Sequence, residues 1–319
     1  MVSSRSEVNS CDPVDLSVQV GALRLQNPVI TASGTFGYGV EFAHLVDLSR
    51  LGGIVTKGIS REPIEGAPPP RLCETPSGML NAVGLQNVGV DAFLQEKLPV
   101  LRKYNTHIIV NVFGYCLEDY LEVVRKLEQA EGISAYELNI SCPNVKKGGM
   151  QFGGSANSVA EVVGNARKAA AKRALWVKLM PLVTNISEIA LAAEAAGANA
   201  LTVANTYPAM AIDFRTGRSR IGNCTGGLSG PAIKPITLRL VWEIYKVAKV
   251  PIVGLGGIET AEDVLDYMSV GASAVQVGTA SFSDPKASER IVGGLAKALK
   301  EVKALTFSEI RGRVPVEDS

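Results

Sequence analysis

The sequence predicts a (β/α)8 TIM barrel, and three observations predict it. Short apolar runs rich in β-branched residues recur eight times along the chain, segments of helical periodicity alternate with them, and reactive polar residues cluster where the runs end. Such alternation marks parallel strands joined by crossover helices. A doubly wound open sheet competes, but it more often has five to seven strands and an early glycine fingerprint, which is absent here. With 319 residues, 46% of them hydrophobic, the chain can bury a large core. Residues 1–319 read as a single barrel domain, with 1–14 a flexible N-terminal extension.

Residues 15–26 come first, as a polar-apolar hairpin with Gly21-Ala22 at its turn, suited to plugging the N-terminal end of the barrel. The eight strands follow at 27–32, 53–57, 107–113, 135–140, 175–179, 200–204, 251–255 and 274–277. Each is expected to lead into a helix, with clear helical patterns at 91–104, 117–130, 157–172, 186–196, 233–248 and 261–269. Two stretches exceed an ordinary connection: the Pro-rich 62–78 after the second strand, and 210–235, rich in Gly, Arg and Thr, an excursion after strand 6. Both leave from strand C-terminal ends, the face on which barrel active sites are assembled.

Composition narrows the function. A net charge of +1 provides no basic field for a nucleic-acid backbone. No run of about 20 apolar residues suits a membrane span, and the first fourteen residues contain no apolar signal core, so a cytoplasmic protein is expected. The five cysteines, Cys11, Cys73, Cys116, Cys142 and Cys224, are scattered without a Cys-x-x-Cys pair, which argues against a disulfide framework, a structural zinc or an iron–sulfur cluster. His44 and His107 are the only histidines, and both read as scaffold residues; no metal site is expected.

The strand ends are polar: Ser33 after the first, Lys57 after the second, Asn111 in the third, Asn139 to Asn144 after the fourth, Lys178 in the fifth and Asn205-Thr206 after the sixth. A lone strand-end Asn usually closes a turn and a lone Lys usually reaches solvent. Together, aimed into one apolar cup, they need a polar ligand. Within Glu137-Leu138-Asn139-Ile140-Ser141-Cys142-Pro143-Asn144, the Cys142 thiol can act as base or nucleophile near neutrality, although a buried structural cysteine is the plainer alternative. The last two strands end in Gly254-Leu255-Gly256-Gly257-Ile258 and Val277-Gly278-Thr279, at the frequent phosphate site of this fold. A planar cofactor with a phosphate tail there would extend its ring toward Lys57, Asn111, Asn139 and Lys178, with Ala32 and Ser33 at its flank; FMN suits that arrangement.

These residues make the chain resemble the class 1 dihydroorotate dehydrogenases, most closely the catalytic subunit of class 1B, over roughly residues 15 to 300. The motifs are Asn27-Pro28-Val29-Ile30 with Ala32-Ser33-Gly34, Thr56-Lys57-Gly58, Asn81-Ala82-Val83-Gly84-Leu85, Asn139 to Asn144, Gly226-Gly227-Leu228-Ser229-Gly230-Pro231 and the two terminal glycine motifs; Lys147-Gly148-Gly149 before Phe152-Gly153 looks like the class 1B loop. The resemblance implies oxidation of (S)-dihydroorotate to orotate in pyrimidine biosynthesis, with FMN as immediate acceptor and Cys142 as general base. It implies FMN contacts at Ser33, Lys57, Asn111, Asn139, Lys178, Ala204, Gly230, Gly256, Gly257, Gly278 and Thr279. Lys57 and Asn81, Ala82, Val83, Gly84 and Leu85 would meet the substrate carboxylate, and Asn139, Asn144, Asn205 and Thr206 the pyrimidine amides. It further implies a second subunit carrying FAD and a [2Fe-2S] cluster that passes electrons to NAD+, in a heterotetramer of two of each subunit built on a homodimer of this chain. Met180, Tyr207 and Cys224 depart from the residues expected beside these motifs.

Three rivals differ in chemistry: a class 1A-like enzyme that reduces fumarate, or a related dihydropyrimidine dehydrogenase; a phosphate-binding barrel lyase with Lys57 or Lys178 as a Schiff base; and a non-catalytic flavoprotein.

Overall fold

The computed structural model describes residues 12–141 and 152–315. A hairpin, β1 (Val18–Val20) and β2 (Leu23–Leu25), precedes the barrel and turns at Gly21, whose φ of +60° suits a residue without a Cβ. Eight parallel strands then close into a barrel in chain order: β3 (Val29–Thr31), β4 (Gly53–Val55), β7 (His107–Val112), β8 (Ala135–Asn139), β9 (Ala174–Lys178), β10 (Ala200–Val203), β15 (Ile252–Leu255) and β16 (Ala274–Val277). The intervening labels belong to four strands of a roof and one outer hairpin: β5 (Leu72–Thr75), β6 (Gly78–Asn81), β11 (Tyr207–Ala209), β14 (Gly226–Ser229), and the pair β12 (Ile212–Asp213) with β13 (Arg218–Ser219).

Side chains alternate across each strand, so one set fills the barrel and the other meets the helices. Ile30, Val55, Ile109, Ala135, Trp176, Ala200, Val253 and Ala274, one from each barrel strand, form an apolar layer packed with Val20 and Leu25 of the hairpin. The hairpin therefore plugs the barrel, as expected. His107 fastens it: a carbonyl can only accept, so His107 Nε2 donates to Arg24 O at 3.0 Å while Nδ1 takes the Ser134 hydroxyl at 3.0 Å. The outward set, including Val110, Tyr136, Val177, Leu201 and Val275, packs against the helical shell.

Helices α1 (Gly89–Ala92) and α2 (Leu98–Leu101) are short, and between them lies a π-helical turn, Phe93–Lys97. The expected helix over 91–104 is thus present as one continuous helical run, 89–101, with a π-turn inside it just before Pro99, which has no N–H to donate and whose ring crowds the preceding turn. The longer helices are α3 (Leu117–Glu128), α4 (Ala156–Ala169), α5 (Ile186–Ala195), α6 (Lys234–Tyr245) and α7 (Ala261–Ser269). Short α8 (Ala280–Ser283) and long α9 (Ala287–Glu301) complete the shell. Side-chain caps set several starts: Asn185 accepts from Ser187 N and Glu188 N, and Thr260 with Asp263 forms a capping box on α7. The first strand is not followed by an α-helix; two 3-10 turns, Val40–Phe42 and Leu48–Arg50, make that connection.

The two long excursions join. Antiparallel pairing in the order β11-β14-β6-β5 makes one four-stranded sheet from segments that leave the second and sixth barrel strands, with Gly227 opposite Asn81 and Ser229 opposite Met79. Cys73, Leu80 and Ile221 are the small core of this roof. Among the described residues, Cys73, Cys116 and Cys224 are free thiols, no group of His, Cys, Asp or Glu is arranged to hold a metal, and no helix is long and apolar enough to cross a membrane.

Candidate active site

One step along each strand from the apolar layer, the barrel interior becomes polar. The strand period of two carries Val55 to Lys57, Ile109 to Asn111, Ala135 to Glu137, Trp176 to Lys178, Ala200 to Thr202 and Ala274 to Gln276. Glu137 is the hub. Its fully buried carboxylate accepts Asn111 Nδ2 at 2.7 Å, Thr202 Oγ1 at 2.7 Å and Gln276 Nε2 at 2.5 Å, and Lys178 Nζ stands 4.0 Å away. A carboxylate can only accept, so both amides must turn their NH2 groups toward it. Their oxygens, Asn111 Oδ1 and Gln276 Oε1, then face elsewhere, buried and without a hydrogen-bond partner among the described residues. Burial pushes the Lys178 ammonium below its ordinary pKa, and Glu137 opposes the shift.

At the tips of β8 and β10 a second network forms. Ser141 Oγ donates to Asn139 Oδ1 at 2.6 Å and accepts Asn205 Nδ2 at 2.6 Å, while Asn205 Oδ1 accepts Thr206 N at 2.8 Å. Asn139 Oδ1 is thereby occupied, and its NH2 group is the half left to a ligand. Tyr120 holds the strand tip by donating to Asn139 O at 2.9 Å.

The roof contributes a third set. Asn81 Nδ2 donates to Gly227 O at 3.0 Å, Ala82 N to Arg71 O at 2.8 Å, and Val83 O receives Ala67 N at 3.0 Å. The chain then turns through Gly84 and Leu85, with φ of +77° and +57°, and Leu85 O accepts Asn87 Nδ2. The backbone of Lys57 is held by Gly37 O, and its ammonium lies below the ordinary value through burial first and the Arg71 guanidinium second, with Glu41 opposing.

Glycines pack closely where β14, β15 and β16 end. A Cβ on Gly257 would stand 2.8 Å from Gly230 O, one on Gly230 2.8 Å from Gly78 Cα, and one on Gly256 2.8 Å from Thr237 Oγ1. Thr279 borders Gly230, and a Cβ on Gly278 would stand 3.4 Å from Ala32 Cβ. The half-buried Ser33 continues from Ala32, and buried Ala204 donates its N–H to Leu255 O.

Cys142, Asn144 and the 147–149 stretch lie outside the described residues. Their flanks meet at the same place: a Cβ on Gly153 would stand 2.4 Å from Ile140 O and 3.2 Å from Met180 Cβ, and Phe152 packs edge-on against Tyr120. Met180 is buried there, Tyr207 begins roof strand β11, and Cys224 is exposed. Glu137, Thr202, Gln276 and Ser141 were not among the expected site residues, although the period of two puts the first three in line with Asn139, Ala204 and Gly278.

A closed parallel barrel with a charged, amide-rich layer, strand-tip asparagines and close-packed glycines at one mouth defines a ligand-converting (β/α)8 barrel. The sequence profile of the dihydroorotate dehydrogenases matches residues 15–299, and the chain belongs to that family. It is 53% identical over 298 residues, 93% of this chain and 97% of the relative, to the catalytic subunit of dihydroorotate dehydrogenase B (NAD(+)) of Geotalea uraniireducens. The protein of that name in Trichlorobacter lovleyi is 52% identical over 297 residues, again 93% of this chain and 97% of the relative. A Solibacter usitatus relative named for dihydroorotate dehydrogenase A (fumarate) is 54% identical over 285 residues, 89% of this chain and 93% of its own length.

Proposed function

We propose that this chain oxidises (S)-dihydroorotate to orotate with FMN as immediate acceptor, and that a partner subunit bearing FAD and a [2Fe-2S] cluster delivers the electrons to NAD+. One observation carries the reading: the buried Lys178 ammonium stands 4.0 Å from Glu137 in a polar layer of the barrel interior that also holds Asn111, Thr202 and Gln276, one strand step from the tip residues Asn139 and Ser141. A flavin ring gains negative charge on reduction, which suits a buried ammonium, and the close-packed glycines after β14, β15 and β16 admit no side chain, so a phosphate tail there would meet backbone.

Gly230, Gly256, Gly257, Gly278 and Thr279 receive the phosphate, and Ser33, Ala204 and Asn139 line the ring's surroundings. Lys178 supplies positive charge from below. FMN held by these residues would supply the acceptor for the hydride leaving C6 of dihydroorotate. Cys142, as thiolate, takes the C5 proton and becomes the thiol as the C5=C6 bond forms. Lys57 and the loop of Asn81, Ala82, Val83, Gly84 and Leu85 meet the carboxylate; Asn139, Asn144, Asn205 and Thr206 hold the ring amides. A partner subunit and NAD+ are supported by the names of the class B relatives; the proposed assembly is a heterotetramer of two of each subunit around a homodimer of this chain.

The Solibacter relative favours a second reading in which fumarate is the acceptor. Purified chain is expected to be yellow, to bleach anaerobically with dihydroorotate, and to recolour with NAD+ only when the partner subunit is added. Recolouring by fumarate without the partner favours the second reading, and a colourless chain that gains no flavin spectrum with added FMN overturns both.

A further inference from the structure

We propose that Glu137 is a positioning residue that keeps the buried Lys178 ammonium charged and fixes the direction of the Asn111 and Gln276 amides beneath the flavin. The inference rests on the flavin reading above and extends it to a residue that touches no substrate. Glu137 is buried on every side, and it is the one charged group acting on Lys178 among the described residues. Thr202 and Asn139, the neighbours of Lys178 in strand register, are neutral. A buried ammonium without a counter-anion neutralises by losing its proton. Three donors from β7, β10 and β16 converge on the same carboxylate, so it is fixed in place and cannot swing to solvent.

Two consequences follow for a bound ring. Positive charge held beside a group that gains negative charge on reduction favours the reduced state. The acceptor-only carboxylate also fixes both amides with their NH2 groups toward Glu137 and their oxygens turned away from it. Glu137→Gln is nearly isosteric but neutral and carries its own NH2, so both effects are lost.

The experiment is a double-mutant comparison of Glu137→Gln, Lys178→Met and the pair, read as the midpoint potential of bound FMN and its dissociation constant. Glu137→Gln is expected to lower the preference for reduced over oxidised FMN about tenfold and to weaken FMN binding about tenfold, as for a lost charge-assisted contact. In the Lys178→Met background the same substitution is expected not to lower the potential. Equal lowering in both backgrounds, or no change in either, overturns the proposal while leaving the flavin reading intact. Failure of the unaltered chain to bind FMN overturns both. If Glu137→Gln does not fold, Glu137→Asp retains the charge but withdraws it from Lys178, and it is expected to lower the potential in the same direction; an unchanged potential overturns the proposal.

Discussion

Asn205 on the tip of β10 donates to Ser141 Oγ across the barrel mouth at 2.6 Å. Because the Ser141 hydroxyl donates its own hydrogen bond to Asn139 Oδ1, the two asparagines are oriented through one hydroxyl. Asn205→Ala removes that donor in a part-buried site, a loss of about 1–3 kcal/mol. The expected result is a fall of about 10- to 100-fold in kcat/KM for dihydroorotate with FMN content retained, measured by anaerobic stopped-flow bleaching. An unchanged kcat/KM would remove Asn205 from the substrate site.

For Cys142, the proposed base, Cys142→Ala is expected to keep FMN yet slow dihydroorotate-driven reduction by roughly 10²–10⁴-fold. Cys142→Ser should recover part of the rate only at high pH, since a serine hydroxyl is much less acidic. Near-normal reduction by the alanine variant sinks the assignment.

Gly257 has a φ of +65° and no space for a side chain: a Cβ would meet Gly230 O and Lys234 Cβ, each at 2.8 Å. Gly257→Ala is expected to cost about 1–3 kcal/mol in backbone strain and to purify with little FMN. Gly278→Ala, whose Cβ would meet Ala32 Cβ at 3.4 Å, should retain more. Flavin absorbance per chain ranks the two, and the reverse order would displace the phosphate from these glycines.

Lys57 carries a pH signature. Burial, then Arg71, depress its ammonium from the ordinary 10.5, against the pull of Glu41. Between the depressed value and 10.5 the unfolded chain binds more protons, so this group's contribution to stability rises with pH across that window. Carboxylate binding needs the proton, so orotate affinity should weaken as pH rises through the depressed value, before 10.5 is reached. Titration of orotate affinity on the unaltered chain and on Lys57→Met checks this; the variant should bind weakly at neutral pH and lack that inflection.

Leu25 tests the plug. It is fully buried against the apolar layer at the closed end, so Leu25→Ala should destabilise the fold by about 2–5 kcal/mol through the cavity it leaves. Denaturant unfolding measures it. A loss below about 1 kcal/mol would mean that the hairpin is not part of the core.

The barrel was legible because its strands are runs such as His-Ile-Ile-Val-Asn-Val, buried on both faces and therefore apolar at nearly every position. Lys57, Asn111, Asn139 and Lys178 stood out as polar breaks in such runs. Glu137 did not: a carboxylate in a strand ordinarily signals a solvent face, and only the closed barrel turns it inward to Asn111 and Gln276. The roof was hidden for another reason. Leu80 and Leu228 are paired by register, yet nothing local in 62–78 or 210–235 announces the other segment. The π-turn at Phe93–Lys97 escapes a periodicity of 3.6, which registers the helix but not the local widening before Pro99.

The roof sheet sets an order on how the molecule can be made. Ser229 bonds to Met79 across 150 residues of chain, and β6 stays without its β14 partner until that later segment has left the ribosome. The barrel's early strands can begin to associate before then, but the chamber they enclose cannot yet be roofed. A truncated or stalled chain therefore exposes the unpaired edge of β6 beside an unfinished pocket, a natural handle for chaperones and proteases, and competence for catalysis arrives only near the end of synthesis.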